Sequence, residues 1–252
     1  MRVVAVDWSG RITGEHRHLW LAEVVDGAPG RLWGASRAEA AATLVAMAGD
    51  DPDLVVGLDF AFSLCEWFLT QEGITSAPEL WGDQDRLEGW LRDCRPPFWG
   101  RPGRRRPPGV EQQRLTERRA GSPVPKPVFQ IGGAGAVGTG SLRGMPVLAQ
   151  LRRAGFHIWP FDDPGLPLVV EMWPRLMTDP PIVKSRQSAR AAHVGVPERW
   201  RPFTDASEDA FDAAVSAIGM QQRLPELLGL PVVDDPIIRR EGWIWGVPLP
   251  AP

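Results

Sequence analysis

Tyrosine is absent from this chain, and lysine occurs only twice, at Lys126 and Lys184, so its positive charge is almost all arginine. The two cysteines, Cys65 and Cys94, form no metal-ligand spacing and imply no disulfide framework. The four histidines (His16, His18, His157 and His193) fall in no ligand pattern either, which sets aside a histidine-bound zinc site. No apolar run approaches the roughly 18 residues needed to span a bilayer. The opening MRVVAVDWSG is too short and too soon acidic for a secretory signal. These absences predict a cytoplasmic protein with two inert thiols and no membrane partner. What is present is ordinary for a globular chain: 252 residues, 43% hydrophobic and 23% charged, with 12 tryptophans. That is enough to bury a sizeable core, and one domain over residues 1–252 is expected.

The net charge of −3 is unevenly spread. Between Arg92 and Lys126 there are ten basic residues and three acidic ones, a local charge of +7, which leaves −10 on the remainder. An acidic body with a basic segment suits a polyanionic partner such as nucleic acid. The bland reading is a solvated loop rich in Arg and Pro. Residues 95–127 hold too few apolar side chains for a core of their own, so they read as an insertion or lid.

Along the chain, residues 2–6 form a Val-rich run that ends at Asp7, as in a buried strand. Residues 18–25 and 31–35 read as two further strands around an Asp26-Gly27 turn, giving an antiparallel meander. Ser36 and Glu39 form a capping box for a helix over 38–47. Residues 53–59 are a second apolar run that ends in an aspartate, Asp59. Ser63 and Glu66 predict another capping box, with a helix over 64–71, and residues 83–94 and 111–119 are further helical stretches. After the glycine-rich run 131–144, a helix is expected over 145–153, with Pro146 in its first turn. Strands are expected at 156–159 and 168–173, and helices at 185–193 and 207–223. The tail, with Trp243 and Trp245, should pack back onto the body. The alternation predicts an α/β fold. The order (three strands, helix, strand, helices, strand, final helix) is that of an RNase H-like domain: a mixed five-stranded sheet, meander first and parallel strands after, flanked by helices.

Asp7 and Asp59 each close an apolar strand, and ligands of α/β sheets bind at the carboxyl ends of strands. On the closing helix, Asp209 and Asp212 lie three residues apart on one face. Glu171 sits inside the apolar run LVVEMW, where a carboxylate is unfavourable unless paired or metal-bound. Each has a structural alternative: turn chemistry for the strand-end aspartates, the helix macrodipole for Asp209, and a bridge to Arg175 for Glu171. Their joint placement favours a shared site, with Asp7, Asp59, Glu171 and Asp212 as ligands of Mg²⁺ or Mn²⁺.

VAVDWSG, VVGLDFAFS, VVEMWP and EDAFDAAVSA, in this order, together with KPVFQIGGAGAVGTGSLRG and LRRAGFHIWPFD, resemble the domain-of-unknown-function family 429, regarded as predicted nucleases with an RNase H fold. The resemblance runs from about Arg2 to Met220. A more distant likeness is to RuvC-type junction resolvases. Asp7, Asp59, Asp209 and Asp212 match their acidic positions, with an Asp at 59 where that pattern has Glu. The resemblance implies two-metal phosphodiester hydrolysis: Asp7 as bridging ligand, Asp59 and Asp212 completing the metal shells, and Glu171 or Asp209 positioning water. Ser9, Arg114, Arg118, Lys126 and Lys184 would then bind the substrate phosphates.

Two other readings compete. One is an ATP- or phosphate-handling enzyme of the actin-like or sugar-kinase type, in which VDWSG and GGAGAVGTGS would meet a nucleotide; no P-loop GK[ST] is present. The other is a non-catalytic nucleic-acid-binding module. The sequence leaves a homo-oligomer open.

Overall fold

The period of two along the apolar runs decides which residues meet on each side of the sheet. In strand β1 (Arg2–Asp7), Val4 and Val6 enter one buried layer while Val3 and Ala5 enter the other. Leu54, Val56 and Leu58 of β4 join the first layer and Val55 the second. A computed structural model describes residues 1–121, 124–178 and 182–250 of this arrangement.

After β1 come α1 (Glu15–His18), β2 (Trp20–Val25) and β3 (Ala28–Gly34). β1 pairs antiparallel with β2, and β2 with β3, so the predicted meander is present. Helix α2 (Arg37–Asp50) carries the expected capping box between Ser36 and Glu39 and crosses over to β4 (Leu54–Leu58), which lies parallel to β1. Helices α3 (Glu66–Gln71), α4 (Ala77–Gly82), α5 (Gln84–Asp93), α6 (Leu115–Arg119) and α7 (Val137–Arg153) follow before β5 (His157–Ile158) and β6 (Leu168–Glu171). The chain continues through α8 (Gln187–Ala192), α9 (Arg201–Thr204) and the long α10 (Glu208–Gln222), then α11 (Leu224–Leu228) and α12 (Ile238–Glu241). The sheet has six strands in the order β3-β2-β1-β4-β6-β5, with β4, β5 and β6 parallel. The sixth is a correction to the expected five. The two-residue β5 forms an outer edge, and β6 takes the place beside β4.

One face of the sheet is covered by α2, α4, α5 and α7, and the other by α10. Ala210, Ala213, Ala214 and Ala217 are buried along α10, so its backbone lies close to β1 and β2. Ser207 caps it, accepting from Ala210 N at 3.1 Å.

Three helix expectations need correction. α3 starts at Glu66, and Ser63 does not cap it; the carboxylate of Glu241 accepts from Glu66 N instead, at 2.7 Å. α6 begins at Leu115, four residues later than expected. α7 begins eight residues earlier than expected and places Pro146 in its interior. Its glycines explain the early start. A Cβ at Gly144 would lie 2.6 Å from the Phe60 ring, so close packing outweighs glycine's weak helix propensity.

The basic segment is anchored rather than freely solvated, within a stretch 95–127 of which 122–123 lie outside the described residues. Phe98 packs edge-on against Phe68 and Phe129. Trp99 exchanges backbone hydrogen bonds with Phe129 and Ile131. The tail behaves as expected: Trp243 and Trp245 are buried, and Trp245 N donates to Glu171 O at 2.8 Å. Among the described residues, no helix is long and apolar enough to cross a membrane.

Candidate functional site

Because β1 and β4 are parallel neighbours in register, Val6 lies beside Leu58, and Asp59 N donates to Val6 O at 3.0 Å. The next residue on each strand is therefore an aspartate next to an aspartate. Asp7 follows the Val3 and Ala5 side of the sheet, the side that α10 covers. Asp212 is buried on that helix, at 4% exposure, and Asp7 is at 7%. The cluster thus comprises Asp7, Asp59 and Asp212, brought together by two strand ends and one helix.

Its electrostatics are those of like charges held out of water. Burial raises the Asp7 carboxyl well above the carboxylate range, and the charges of Asp212 and Asp59 raise it further. Burial and the charge of Asp212 push Asp59 up to about 8. The charge of Asp59 adds to the rise at Asp7, so the two neighbouring carboxyls resist ionising together. Asp212 is pushed up to about 6 by burial, against the pull of the Lys184 ammonium that hydrogen-bonds it. Lys184 is in turn held above its ordinary range: burial opposes its charge, and the carboxylates of Asp212, Asp7 and Asp59 outweigh that. Lys184 is the counter-charge of the cluster in this structure.

Two of the expected members lie elsewhere. Glu171 pairs in register with Leu58, on the opposite face of the sheet from Asp7. Its carboxylate accepts from Phe62 N at 3.0 Å and from both terminal nitrogens of Arg114, one of them at 2.9 Å. Arg114, at 1% exposure, also binds Glu117 at 2.8 Å and donates to Glu241 O at 2.9 Å. Glu171 and Arg114 are therefore held in a buried ion-pair network, bordering the same cleft as Asp59 and Asp212. The partner of Glu171 is Arg114 rather than the nearer Arg175, because α6 carries Arg114 back against β6. Its two carboxylate partners hold the guanidinium above its usual range against the cost of burial. Asp209 faces outward, half-buried, and its Oδ2 lies 3.1 Å from His18 Nδ1. One turn along the helix from Asp212, it pairs with His18, and its charge still raises the carboxyls of Asp7 and Asp212.

The remaining candidates are scattered. Ser9 Oγ accepts from Arg11 N at 3.2 Å, within the turn after β1. Arg118 lies on the surface, 3.5 Å from Glu111. Lys126 is exposed, and its stem lies near Gly135, just before α7. Gly138 N donates to Gln130 O, Val137 N to Gly135 O and Thr139 N to Ala136 O, so the first amides of α7 are already bonded.

A cleft of about 460 Å³ opens beside the cluster, sharing Asp59, Lys184 and Asp212 with it. Phe60, Met172, Trp173 and Phe211 line it, and Lys126 and Arg175 also reach it. Sequence reasoning missed Phe60, Trp173 and Arg175. The signal was their position: residues just past the ends of β4 and β6 face the same ligand-binding edge as the strand-end aspartates.

Among the described residues, no group of three or more His, Cys, Asp and Glu is arrayed to hold a metal ion. The Lys184 ammonium is bonded to the Asp212 carboxylate. The donor chemistry nevertheless fits a hard divalent cation: three carboxyl groups with only oxygen donors, each raised in pKa chiefly by burial. Compared with known proteins, the chain matches no family model, no curated protein and no solved structure.

Proposed function

We propose that this chain is a divalent-cation-dependent phosphodiester hydrolase, a nuclease on an RNase H-like scaffold. The observation that carries the proposal is the meeting of Asp7, Asp59 and Asp212 at the carboxyl ends of two adjacent parallel strands, under a long helix. Carboxyl groups raised in pKa by burial and by neighbouring charges, beside a cleft, favour function over structure. The meander, the helical crossover into β4 and the position of α10 are in keeping with the RNase H-like arrangement.

Asp7, Asp59 and Asp212 would hold the cation, Mg²⁺ or Mn²⁺. When bound, it supplies Lewis acidity toward a phosphate oxygen and the attacking water. The charge balance favours one ion. Three ionised carboxylates carry −3, and Lys184 returns +1, which leaves the charge that one divalent cation neutralises. Lys184 thus replaces part of the positive charge that a second metal would provide. Asp7 and Asp59, once ionised, would accept hydrogen bonds from water and orient it. Lys126 and Arg175 supply positive charge for the flanking phosphates. Phe60 and Phe211 exclude water from the side of the cleft.

Calorimetry with Mn²⁺ on the wild type and on Asp7→Asn tests the reading. One equivalent should bind the wild type and raise its Tm, and Asp7→Asn should lose both effects. Single-stranded, duplex, junction and RNA substrates should then be offered with Mn²⁺. If none is cut, hydrolysis is ruled out as the function.

A further inference from the structure

The cleft is larger than a metal and a phosphate need, and most of its wall is unsuited to either. Its volume of about 460 Å³ falls in the range of small-molecule sites. Phe60, Met172, Trp173, Ile182 and Phe211 form apolar walls, and Trp173 is only half-buried. The positive groups Lys126, Arg175 and Lys184 also border it. The charged groups at its base are already engaged: Arg114, Glu117 and Glu171 satisfy one another. A ligand that fits has a flat apolar body for the aromatic walls and an anionic end for the cations. A phosphodiester backbone alone has the second property and lacks the first. A nucleotide unit has both.

We infer that the cleft receives one unstacked nucleobase of the strand whose phosphate lies at the Asp7–Asp59–Asp212 cluster, so that the substrate is single-stranded or locally unpaired nucleic acid. This inference rests on the nuclease reading above. Asp59, Lys184 and Asp212 border both cluster and cleft, so a base in the cleft adjoins the phosphate at the carboxylates. Entry of a base requires its removal from any helical stack, at least cost where it is already unpaired. Trp173 is the stacking platform.

The test uses the full chain in EDTA, where no cleavage is expected, with oligonucleotides carrying 2-aminopurine. A single strand should bind with a change in 2-aminopurine fluorescence. Trp173→Ala should weaken that binding about 5- to 100-fold and abolish the signal, and Trp173→Phe should restore most of it. A fully paired duplex should bind through the cations alone, with no signal and no response to Trp173→Ala. Circular dichroism and thermal melting establish that each variant is folded. If folded Trp173→Ala binds the single strand like the wild type with the same signal, the inference is overturned. Adenosine monophosphate binding as tightly as the oligonucleotide would also overturn it, because the ligand would then be a free nucleotide. Adding Mn²⁺ to the same samples separates the two claims. Cleavage without a base signal overturns the base pocket and leaves the nuclease. A base signal on the single strand without cleavage of any substrate supports the pocket and removes the hydrolysis.

Discussion

At the scale of single residues, the governing fact is the cost of holding like charges out of water. Asp59 ionises in the folded chain near pH 8, against about 3.9 for an unperturbed aspartate. Between those values the folded state holds a proton that the unfolded state has released. The stabilisation from that proton is full below about pH 4 and is lost as pH rises through 8. Asp59→Asn should therefore raise the Tm of the metal-free protein, more at pH 8 than at pH 5; an equal gain at both would contradict the shift. With Mn²⁺ present, the substitution should remove a ligand and lose the metal's stabilisation. Arg114 shows the reverse case, a charge that its partners require. Arg114→Met leaves Glu117 and Glu171 buried without a cation, at a cost of about 3–5 kcal/mol. Urea unfolding measures it, and an unchanged midpoint would mean that the network does not support the fold.

At the scale of elements, the site depends on close approaches that only small residues permit. α7 begins in glycine-rich sequence because its Gly144 lies against the Phe60 ring, directly after Asp59. Gly144→Ala would gain in helix propensity and lose more by pushing on that ring. The expected net loss is about 1–3 kcal/mol by chemical denaturation. The effect should reach the cleft, since Phe60 lines it. Glu241 works at the same scale. This one buried carboxylate of α12 accepts from the first amides of both α3 and α6, Glu66 N and Leu115 N. It ties the end of the chain to the segment that carries Arg114.

At the scale of the whole molecule, two buried layers enclose a sheet whose ligand edge is open. Cys65 and Cys94 belong to the first layer, and burial raises the Cys65 thiol above its ordinary range. Neither should react with a thiol-specific disulfide reagent such as DTNB in the native protein, and both should react after unfolding in guanidinium. Rapid reaction of the native protein would mean that this layer opens. The basic segment, by contrast, is fixed by the Phe98 and Trp99 contacts while Arg104, Arg105 and Arg106 remain exposed.

Local pattern alone determined the meander, the capped α2, the position of α10, and the two apolar runs that lead into Asp7 and Asp59. Period-two alternation and the Ser36–Glu39 capping box act over a few residues, so they are written in the sequence. Alternation also held the signal against Glu171: in LVVE, the glutamate falls on the opposite face from Leu168 and Val170, which share their layer with Asp7's strand neighbours. Tertiary structure decided what depended on partners far along the chain. Arg114 meets Glu171 across 57 residues, Lys184 meets Asp212 across 28, and His18 holds Asp209 across 191. Which carboxylate remains free of a cation is therefore set by packing, because a buried charge takes whichever counter-charge the fold brings within reach.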